Sequence, residues 1–264
     1  MEYKEICLAV KDIASEAGKF IREQHLERDI IKIEAKGKHN FVTEVDKQSE
    51  LMLVKKLALL LPESGFITEE GTSTKKGERL NWVIDPLDGT TNFIHGAPPF
   101  AVSIGLLDGE ELVAGVVYEI TEDACFYAWK SGGAYLNGKA IHVSNVNTVD
   151  ESLIATGFPY SNYEHIETFL ETMEWFMKNS QGLRRLGSAA TDMVYVACGR
   201  YDGFYEYGLN PWDVAAGTII LKEAGGTVTD FRGKNAYLFG GEIICSNGHI
   251  QEEFQQTVSR ILYK

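Results

Sequence analysis

The amino-acid sequence predicts a mixed α/β or α+β fold, with two αβ lobes packed as one unit. Three observations point to this class. Two amphipathic helical patterns open the chain, short β-branched and aromatic segments follow Pro62, and from about residue 150 strand-like and helical segments alternate. The 264 residues suffice for one large domain, and no long linker divides them. We therefore expect a single domain over 1–264, with lobes at about 1–147 and 148–264.

Two amphipathic helices are expected in the first half. Apolar residues from Ile6 to Ile21 recur at helical spacing, which predicts a helix over about 3–24. A second pattern predicts a helix from Thr43 to about Leu61, with Pro62 beyond its end. The polar segment 36–40 between them is expected to be a loop.

The remaining elements are short and are separated by Gly, Asp or Pro. Strands are expected at 65–70, 81–85, 101–107, 111–119 and 124–129. A second series of strands is expected at 153–157, 182–186, 203–207 and 242–246, alternating with helices near 164–178, 188–199, 211–225 and 248–262. The first series belongs to one lobe and the second to the other.

The charge of the chain limits its partners. With 25 Lys and Arg against 38 Asp and Glu, the formal net charge is −13 at pH 7. Binding to nucleic acid or anionic lipid without sequence preference depends on basic residues, so neither partner is expected. The sequence has no apolar run of the roughly 18–20 residues that span a bilayer, and no signal peptide. The four cysteines are far apart, which indicates no disulfide framework, and we expect a cytoplasmic protein.

One apparent nucleotide-binding motif is better interpreted as a turn. Gly133 to Lys139 matches G-x-x-x-x-G-K, but Ala140 follows where a P-loop needs Ser or Thr to hold magnesium. Asn137-Gly138 between apolar stretches is instead a strong hairpin signal. We therefore predict a β-turn at these two residues.

The most informative segment is NWVIDPLDGTTNF, residues 81–93. An apolar strand carries Asp85 at its C-terminal end, Pro86 removes a backbone donor, and Asp88-Gly89 indicates a sharp turn. Two carboxylates across such a turn can converge on one point, and hard oxygen ligands of this kind suit Mg²⁺. From these residues alone, a helix-capping aspartate explains the pattern about equally well.

Further acidic residues follow the ends of other elements. Glu69-Glu70 closes a predicted strand, and Asp213 lies in the first turn of a predicted helix after Pro211. Each has an ordinary explanation, as a solvated loop residue or as an acid favoured at a helix N-terminus. Together they are what a ligand site at the carboxyl edge of a sheet requires.

Five motifs, in order along nearly the whole chain, make the sequence resemble the inositol monophosphatase family of magnesium-dependent, lithium-sensitive sugar phosphatases. They are VTEVD (42–46), GFITEE (65–70), WVIDPLDGTTNF (82–93), RLGSAA (185–190) and WDVAAG (212–217). The third and fifth are the most specific. The resemblance implies a layered αβαβα sandwich of the inositol monophosphatase and fructose-1,6-bisphosphatase type, with a metal- and phosphate-binding first lobe and a substrate-binding second lobe.

The resemblance also implies a centre with two or three Mg²⁺ ions per subunit. One ion would be held by Glu69, Asp85 and the backbone carbonyl of Leu87, and a second by Asp85, Asp88 and Asp213. A third, weaker ion would depend on Glu69 and water. Asn40 stands where the family usually has Asp, in the loop that approaches the third ion, so the occupancy of that ion stays open.

The resemblance implies catalytic roles for Glu69, Thr90 and Asp46, of which the last two would orient and deprotonate the attacking water. The residues implied to contact phosphate or substrate are Asp88, Gly89, Thr90, Gly187, Ser188, Ala189 and Glu206. Local alternatives exist for three of these residues. Thr43-x-x-Asp46 approximates a capping box, Ser188 can be a helix N-cap, and Glu206 can be a strand-end acid.

The activity implied is hydrolysis of myo-inositol 1-phosphate to inositol and phosphate, by direct attack of a metal-activated water. Thr91-Asn92-Phe93 after Asp-Gly-Thr resembles inositol monophosphatases more than adenosine bisphosphate phosphatases, which tend to carry Lys-Glu-Phe there. Fructose 1,6-bisphosphate, adenosine 3′,5′-bisphosphate and histidinol phosphate are the alternative substrates. The resemblance also implies a homodimer.

Two other interpretations are weaker. Haloacid-dehalogenase phosphatases carry D-x-D-G-T with a nucleophilic first Asp. Here D-P-L-D-G-T is one residue longer, and alternation along an extended segment would point the two carboxylates to opposite sides. A non-catalytic regulatory protein would keep the acids as a stabilising metal site, but it would not need the pair of Asp46 and Thr90.

Overall fold

A computed structural model gives the fold and describes residues 1–26, 33–35, 41–159 and 163–264. Its helices are α1 (Tyr3–Leu26), α2 (Glu44–Leu60), α3 (Thr90–His95), α4 (Ile166–Asn179), α5 (Ala189–Ala197), α6 (Pro211–Glu223) and α7 (Gln251–Leu262), with a 3₁₀ turn at Ala236–Leu238. Its strands are β1 (Ile33–Ala35), β2 (Phe41–Thr43), β3 (Gly65–Thr68), β4 (Leu80–Asp88), β5 (Ala101–Asp108), β6 (Glu111–Glu119), β7 (Ala124–Trp129), β8 (Ala134–Leu136), β9 (Lys139–Ile141), β10 (Leu153–Thr156), β11 (Gly182–Arg184), β12 (Gly203–Tyr207), β13 (Thr227–Thr229) and β14 (Glu242–Ser246). The loop predicted at 36–40, which includes Asn40, lies outside the described residues.

The strands form two large sheets and one small pair. The seven-stranded sheet has the order β3-β4-β5-β6-β7-β8-β9 and is antiparallel except for its parallel β3–β4 pair. The five-stranded sheet has the order β11-β10-β12-β14-β13 and is mixed. β1 and β2 pair with each other. The first large sheet draws its strands from 65–141 and the second from 153–246.

Helices and sheets alternate in five layers. One hydrophobic core lies between α1, α2 and one face of the seven-stranded sheet, and it includes Ile21, Leu53 and Trp82. A second core, with Val194 and Ile220, fills the middle layer, where α5 and α6 lie between the two sheets. A third core packs α4 and α7 on the far face of the five-stranded sheet. The predicted layered αβαβα sandwich is thereby confirmed.

The predicted helices are confirmed, with small shifts at their ends. Helix α2 is the clearest case, because it begins directly after Thr43 and is capped at its other end by Leu61. The Thr43 hydroxyl accepts from the N–H groups of Val45 and Asp46, and the Asp46 carboxylate accepts from the Thr43 N–H. The capping box that the sequence suggested is therefore present.

The hairpin predicted at Asn137-Gly138 is confirmed as well. Strands β8 and β9 pair across these two residues, which have φ values of 48° and 85°. Positive φ at both turn positions is the geometry for which Asn-Gly is favoured. The match to G-x-x-x-x-G-K is therefore a turn and not a phosphate-binding loop. The strands β1, β2 and β13, of three residues each, are not predicted from the sequence.

Strand β4 differs from the prediction, because it continues past Asp85 and ends only at Asp88. Its register with β5 shifts between these two residues, so Pro86 and Leu87 together stand opposite a single residue. This β-bulge places Pro86 where the ladder of hydrogen bonds needs no N–H donor. The chain then turns at Gly89, with φ 91°.

Helix α6 lies close to the seven-stranded sheet. Gly105 and Gly115 pair with each other on β5 and β6. A Cβ atom at Gly105 would lie 2.9 Å from the Ala215 Cβ, and one at Gly115 would lie 2.8 Å from the Ala216 carbonyl oxygen. The two glycines therefore allow α6 to approach the sheet, which brings its first turn, with Asp213, toward the end of β4.

Two expectations about the whole chain can be compared with the structure. The four cysteines are free thiols, as their spacing indicated. Within the described ranges, no helix combines the length and the apolar composition that a membrane crossing needs.

Burial raises the pKa of the thiols of Cys7 and Cys125 to about 12, so neither is a reactive thiolate near neutral pH.

Candidate active site

The bulge in β4 determines where two carboxylates point. In a regular strand, residues three apart face opposite sides of the sheet. The extra residue in the bulge reverses one alternation, so Asp85 and Asp88 reach the same region, and the charge of Asp88 acts to raise the pKa of Asp85. The alternation argument against a haloacid-dehalogenase site is therefore wrong at this point, because the strand is not regular there.

Both aspartates of β4 are oriented by hydrogen bonds. The Leu87 N–H donates to Oδ1 of Asp85 at 2.9 Å. Oδ2 of Asp88 accepts from the Ser188 hydroxyl at 2.6 Å and from the Ala190 N–H at 2.8 Å. These bonds hold the carboxylate planes in place, as partners behind metal ligands commonly do.

Asp213 reaches the same region from the start of α6. Its Oδ2 accepts from the Asn210 N–H at 2.7 Å, which completes a capping box at the helix N-terminus. The Ser103 hydroxyl on β5 donates to the Trp212 carbonyl at 3.1 Å and ties this turn to the sheet. The ordinary explanation of Asp213, as an acid favoured at a helix start, is thus true without excluding a second role.

The acids of this region shift one another's pKa values. Burial raises the pKa of Asp85 well above its usual range, and the charges of Glu69, Asp88 and Asp213 raise it further. Burial is also the main reason why the pKa of Asp88 rises to about 6. The pKa of Asp213 is raised well above its usual range by burial first and then by the charge of Asp88. We call Glu69, Asp85, Asp88 and Asp213 the carboxylate cluster.

The carboxylate cluster has the chemistry of a site for hard divalent cations. Its four acids carry hard oxygen donors of the kind that such cations prefer, and the carbonyl of Leu87, between Asp85 and Asp88, is another. Among the described residues, no three acidic, His or Cys side chains already form a closed set of metal ligands. Two divalent cations would balance the four negative charges of the cluster.

Asp46 and Thr90 form a hydrogen-bonded pair beside the cluster. The Thr90 hydroxyl lies 2.9 Å from Oδ1 of Asp46 and 3.1 Å from the Leu87 carbonyl oxygen. Oδ2 of Asp46 accepts from the Thr43 N–H at 2.8 Å. Burial raises the pKa of Asp46, against the effect of its hydrogen bonds with Thr43 and Thr90. The capping role and the catalytic role suggested from sequence therefore use different oxygens of one carboxylate.

Gly89 and Gly187 bring two loops together. Gly89 precedes α3 with φ 91°, and Gly187 precedes Ser188, the N-cap residue of α5, with φ 90°. A Cβ atom at Gly89 would lie 3.2 Å from the Gly187 carbonyl oxygen. The structure therefore brings together the segments implied to hold phosphate.

The alternative role of Ser188, as a helix N-cap, is present in the structure. Its side chain is 1% exposed, its hydroxyl contacts Asp88 and Thr191, and it also accepts from the Thr191 N–H as the N-cap of α5. The hydroxyl is thus committed within the protein, because two side chains and one backbone group surround it. The contact implied for this segment uses the backbone N–H groups of residues 187–189, which these hydroxyl contacts do not involve.

Glu206 reaches the site from the second lobe. It lies on β12 and is buried, and burial raises its pKa well above the usual range, while Arg185 opposes that shift. The charges of Asp213 and Asp88 also raise the pKa of Glu206, so it lies near the carboxylate cluster. A Cβ atom at Gly157 would lie 1.9 Å from the Glu206 carboxyl carbon. Gly157 therefore provides the space in which Glu206 lies.

Sequence reasoning missed the roles of Arg185, Gly157 and Asn92. Arg185 is a cation near the acids, and its guanidinium lies 4.9 Å from the centre of the Phe158 ring. The only signal for it was its place in the RLGSAA motif.

The Asn92 amide donates to the carbonyls of Pro99 at 2.7 Å and Leu186 at 2.8 Å, so it joins α3 to the RLGSAA segment.

The five layers and the carboxylate cluster define a class of layered αβ proteins with an acidic centre at the ends of β4 and α6. The chain belongs to the inositol monophosphatase family, whose model matches residues 2–263. This is a family of metal-dependent phosphatases. The family predicted from the five motifs is therefore confirmed.

Relatives cover nearly the whole chain. The chain is 39% identical over 238 residues to "Nus factor SuhB" of Escherichia coli, covering 90% of this chain and 89% of the relative. It is 36% identical over 245 residues to "Inositol-1-monophosphatase" of Rhizobium meliloti, covering 92% of each. Extragenic suppressor protein suhB from Bartonella henselae has a solved structure with a TM-score of 0.93 and 35% identity, and the match covers 97% of this chain and 99% of that one.

Proposed function

We propose that this protein is a Mg²⁺-dependent phosphomonoesterase that hydrolyses myo-inositol 1-phosphate to inositol and phosphate. The observation that carries the proposal is the position of the Asp46–Thr90 pair. The Thr90 hydroxyl lies 3.1 Å from the carbonyl oxygen of Leu87, and Leu87 lies between the two cluster aspartates of β4. A water-activating pair next to an acidic metal site is what direct hydrolysis of a phosphate ester requires.

The carboxylate cluster would hold the metal ions. One ion would be bound by Glu69, Asp85 and the Leu87 carbonyl, and a second by Asp85, Asp88 and Asp213. When bound, Mg²⁺ lowers the pKa of a water and stabilises charge on the phosphate and on the leaving oxygen. A third ion remains part of the proposal, but the loop with Asn40 lies outside the described residues.

The chain's own residues would handle the proton of the attacking water. The Thr90 hydroxyl has one hydrogen and two acceptors within reach, Asp46 and the Leu87 carbonyl. In one of these two orientations, the Thr90 hydroxyl donates its hydrogen to Asp46. The Thr90 oxygen can then accept a hydrogen bond from water, and the raised pKa of Asp46 makes its carboxylate the better proton acceptor.

Phosphate and substrate would be held by groups from both lobes. Backbone N–H groups of Gly89 and Thr90, at the start of α3, suit a phosphate because helix N-termini attract anions. Backbone groups of Gly187, Ser188 and Ala189 would add to them, since a Cβ atom at Gly89 would lie 3.2 Å from the Gly187 carbonyl oxygen. Glu206 would accept a hydrogen bond from a substrate hydroxyl, which fits a polyol better than an apolar ester.

Other substrates are the alternatives with the same fold and mechanism. Fructose 1,6-bisphosphate, adenosine 3′,5′-bisphosphate and histidinol phosphate remain the comparison compounds. Asn92 gives little help in choosing among them, because its amide donates to two backbone carbonyls. Covalent catalysis of the haloacid-dehalogenase type is disfavoured by the family and not by strand alternation. A purely regulatory protein is disfavoured because the Asp46–Thr90 pair is intact.

Relatives named Nus factor raise the question of whether this chain also binds nucleic acid. The chain is 39% identical to such a relative over most of its length. We propose that this chain does not bind nucleic acid directly, because its net charge of −13 opposes contact with phosphate backbones. A mobility-shift assay at physiological salt would contradict this if the protein retarded RNA or DNA.

A homodimer and a cytoplasmic location remain predictions.

A substrate panel tests the proposed function. Phosphate release should be measured for inositol 1-phosphate, fructose 1,6-bisphosphate, adenosine 3′,5′-bisphosphate and histidinol phosphate, each with Mg²⁺ and with excess EDTA. Inositol 1-phosphate should have the highest kcat/KM, activity should vanish in EDTA, and millimolar Li⁺ should inhibit it. Preference for another ester would change the substrate but keep the mechanism, whereas a trapped aspartyl phosphate would overturn the mechanism.

A further inference from the structure

Glu50 is a buried acid that stands behind the site. It lies on α2 one turn after Asp46, and its side chain is 0% exposed. Its Oε2 accepts from the Glu70 N–H at 2.8 Å. Its Oε1 accepts from the Thr72 N–H at 2.8 Å and from the Thr72 hydroxyl at 2.7 Å. Three donors thus compensate this carboxylate for the water that it loses on burial.

The segment that Glu50 holds is the one that carries Glu69. The Glu69 N–H donates to the Ile84 carbonyl at 3.3 Å, one residue before Asp85 on β4. The next peptide, with the N–H of Glu70, is bound by Glu50. Glu69 is therefore tied to β4 by one peptide and to α2 by the next, so the position of its Cα, from which the carboxylate must reach the cluster, is fixed on both sides.

The cost of burying Glu50 indicates that it serves more than packing. An apolar side chain of similar volume would fill the space without needing donors. The ion pairs found among the described residues do not include Glu50, so its partners are the backbone and hydroxyl groups of one loop. What those bonds achieve is a defined path for residues 69–72.

We propose that Glu50 is a positioning residue that holds the 69–72 loop so that Glu69 can act as a ligand of a divalent cation together with Asp85. The inference rests on the proposed function, because it assigns Glu50 a part in the same metal site. Glu50 itself contacts no substrate or metal in this account. Its effect passes through the backbone of Glu70 and Thr72.

Glu119 offers a matched control. It is also 0% exposed, and it also accepts from two backbone N–H groups and one threonine hydroxyl. The donors are the N–H groups of Thr121 at 3.0 Å and Glu122 at 2.7 Å, with the Thr121 hydroxyl. The turn that it holds, between β6 and β7, carries none of the proposed ligands. Loss of Glu119 should therefore cost stability without a specific effect on metal affinity.

The test is calorimetric titration of the metal-free protein with Mg²⁺, for wild type, Glu50→Gln, Glu50→Asp and Glu119→Gln, with the melting temperature of each. Glu50→Gln should lower Mg²⁺ affinity roughly 10–100-fold, the usual effect of losing a partner behind a metal ligand. Glu50→Asp keeps the charge but is one methylene shorter, so it should also weaken binding if position is what matters. Excess Mg²⁺ should restore most of the kcat of both variants.

The outcomes separate this inference from the proposed function. If Glu50→Gln and Glu119→Gln lose similar stability and both bind Mg²⁺ as tightly as wild type, Glu50 has only a structural role and the inference is wrong. If Glu50→Asp binds normally while Glu50→Gln does not, charge and not position explains the effect, which also overturns it. If wild type binds no Mg²⁺, the proposed metal site fails and the inference fails with it. Should Glu50→Gln not fold, Thr72→Val removes one donor from the other side and should weaken Mg²⁺ binding in the same direction.

Discussion

The hydroxyl of Thr90 lies 2.9 Å from one carboxylate oxygen of Asp46, while the other oxygen of Asp46 accepts from the Thr43 backbone and caps α2. A single side chain thus joins the start of a helix to the proposed water-activating group. The helix cap holds the carboxylate still, which keeps its second oxygen in place for Thr90. Local structure and proposed chemistry therefore depend on the same residue.

Thr90→Ala should separate these two functions. Removing the hydroxyl takes away the group proposed to link the attacking water to Asp46 but leaves the cap of α2 intact, so kcat should fall roughly 10²–10⁴-fold. Mg²⁺ affinity and melting temperature should change little. Thr43→Ala is the control, since it removes the capping hydroxyl and should cost about 1 kcal/mol of stability, with a much smaller effect on kcat. Equal activity of Thr90→Ala and wild type would remove Thr90 from the mechanism.

Asp85→Asn should abolish Mg²⁺-dependent turnover while the protein stays folded. Asp85 is the residue proposed to bind both ions. Losing a residue that only supports a metal ligand costs up to roughly 100-fold in affinity or activity. Losing Asp85 itself should therefore reduce kcat/KM by more than that. Phosphate release and circular dichroism on the same preparation test this. Substantial retained activity would contradict the assignment of the metal site.

Metal-free protein should lose stability as the pH rises through about 6. Burial raises the pKa of Asp88 to about 6 and those of Asp85 and Asp213 well above their usual range, compared with about 3.9 in an unfolded chain. The folded state then binds more protons than the unfolded state between these values, so their contribution to stability is present at low pH and is lost as the carboxylates ionise.

Thermal unfolding from pH 5 to pH 8, in EDTA and in Mg²⁺, measures this effect. Asp85→Asn removes one of the repelling charges, so in EDTA at pH 8 it should melt at a higher temperature than wild type. The increase should be roughly 2–4 °C for each 1 kcal/mol gained in the free energy of unfolding. Saturating Mg²⁺ should reverse the order, because only wild type retains the ligand. A difference between the two proteins that does not change with pH or Mg²⁺ would count against a repulsive cluster.

Gly157→Ala should displace Glu206 and weaken substrate binding. The added Cβ would lie 1.9 Å from the Glu206 carboxyl carbon, so that side chain must move. KM should rise roughly 10-fold, which corresponds to about 1.5 kcal/mol for one hydrogen bond to a charged group. Steady-state kinetics should show the same direction for Glu206→Gln, with Mg²⁺ affinity unchanged in both. A large fall in kcat at constant KM would show that the two residues act on the metal site instead.

Much of the fold, and the residues of the carboxylate cluster, could be predicted because their signals are local. Asp85, Asp88 and Asp213 follow recognisable strand and helix ends, and the cap at Thr43 and the turn at Asn137-Gly138 depend on residues at most three apart. Such features need no knowledge of the tertiary structure. They also show that a local interpretation and a functional one need not exclude each other, since for Asp46 the cap and the proposed catalytic contact use different oxygens.

The features that escaped prediction depend on contacts between distant parts of the chain. The Ser188 hydroxyl is committed to Asp88, 100 residues earlier, and Asn92 bonds to Leu186, 94 residues later. Neither partner can be inferred from neighbouring residues. The bulge in β4 escaped for another reason, since it appears only when the register against β5 is known. Each of these features determines the contacts or the direction of a residue that the sequence had already marked as a candidate.

The central claim is that the carboxylate cluster binds Mg²⁺ for hydrolysis of a phosphate monoester. It is tested most directly by phosphate release from myo-inositol 1-phosphate, measured on metal-depleted protein while Mg²⁺ is added back. The account predicts no turnover without the ion, recovery that saturates with Mg²⁺, and no recovery in Asp85→Asn. Turnover that persists after complete metal removal, or that Asp85→Asn retains, would contradict it.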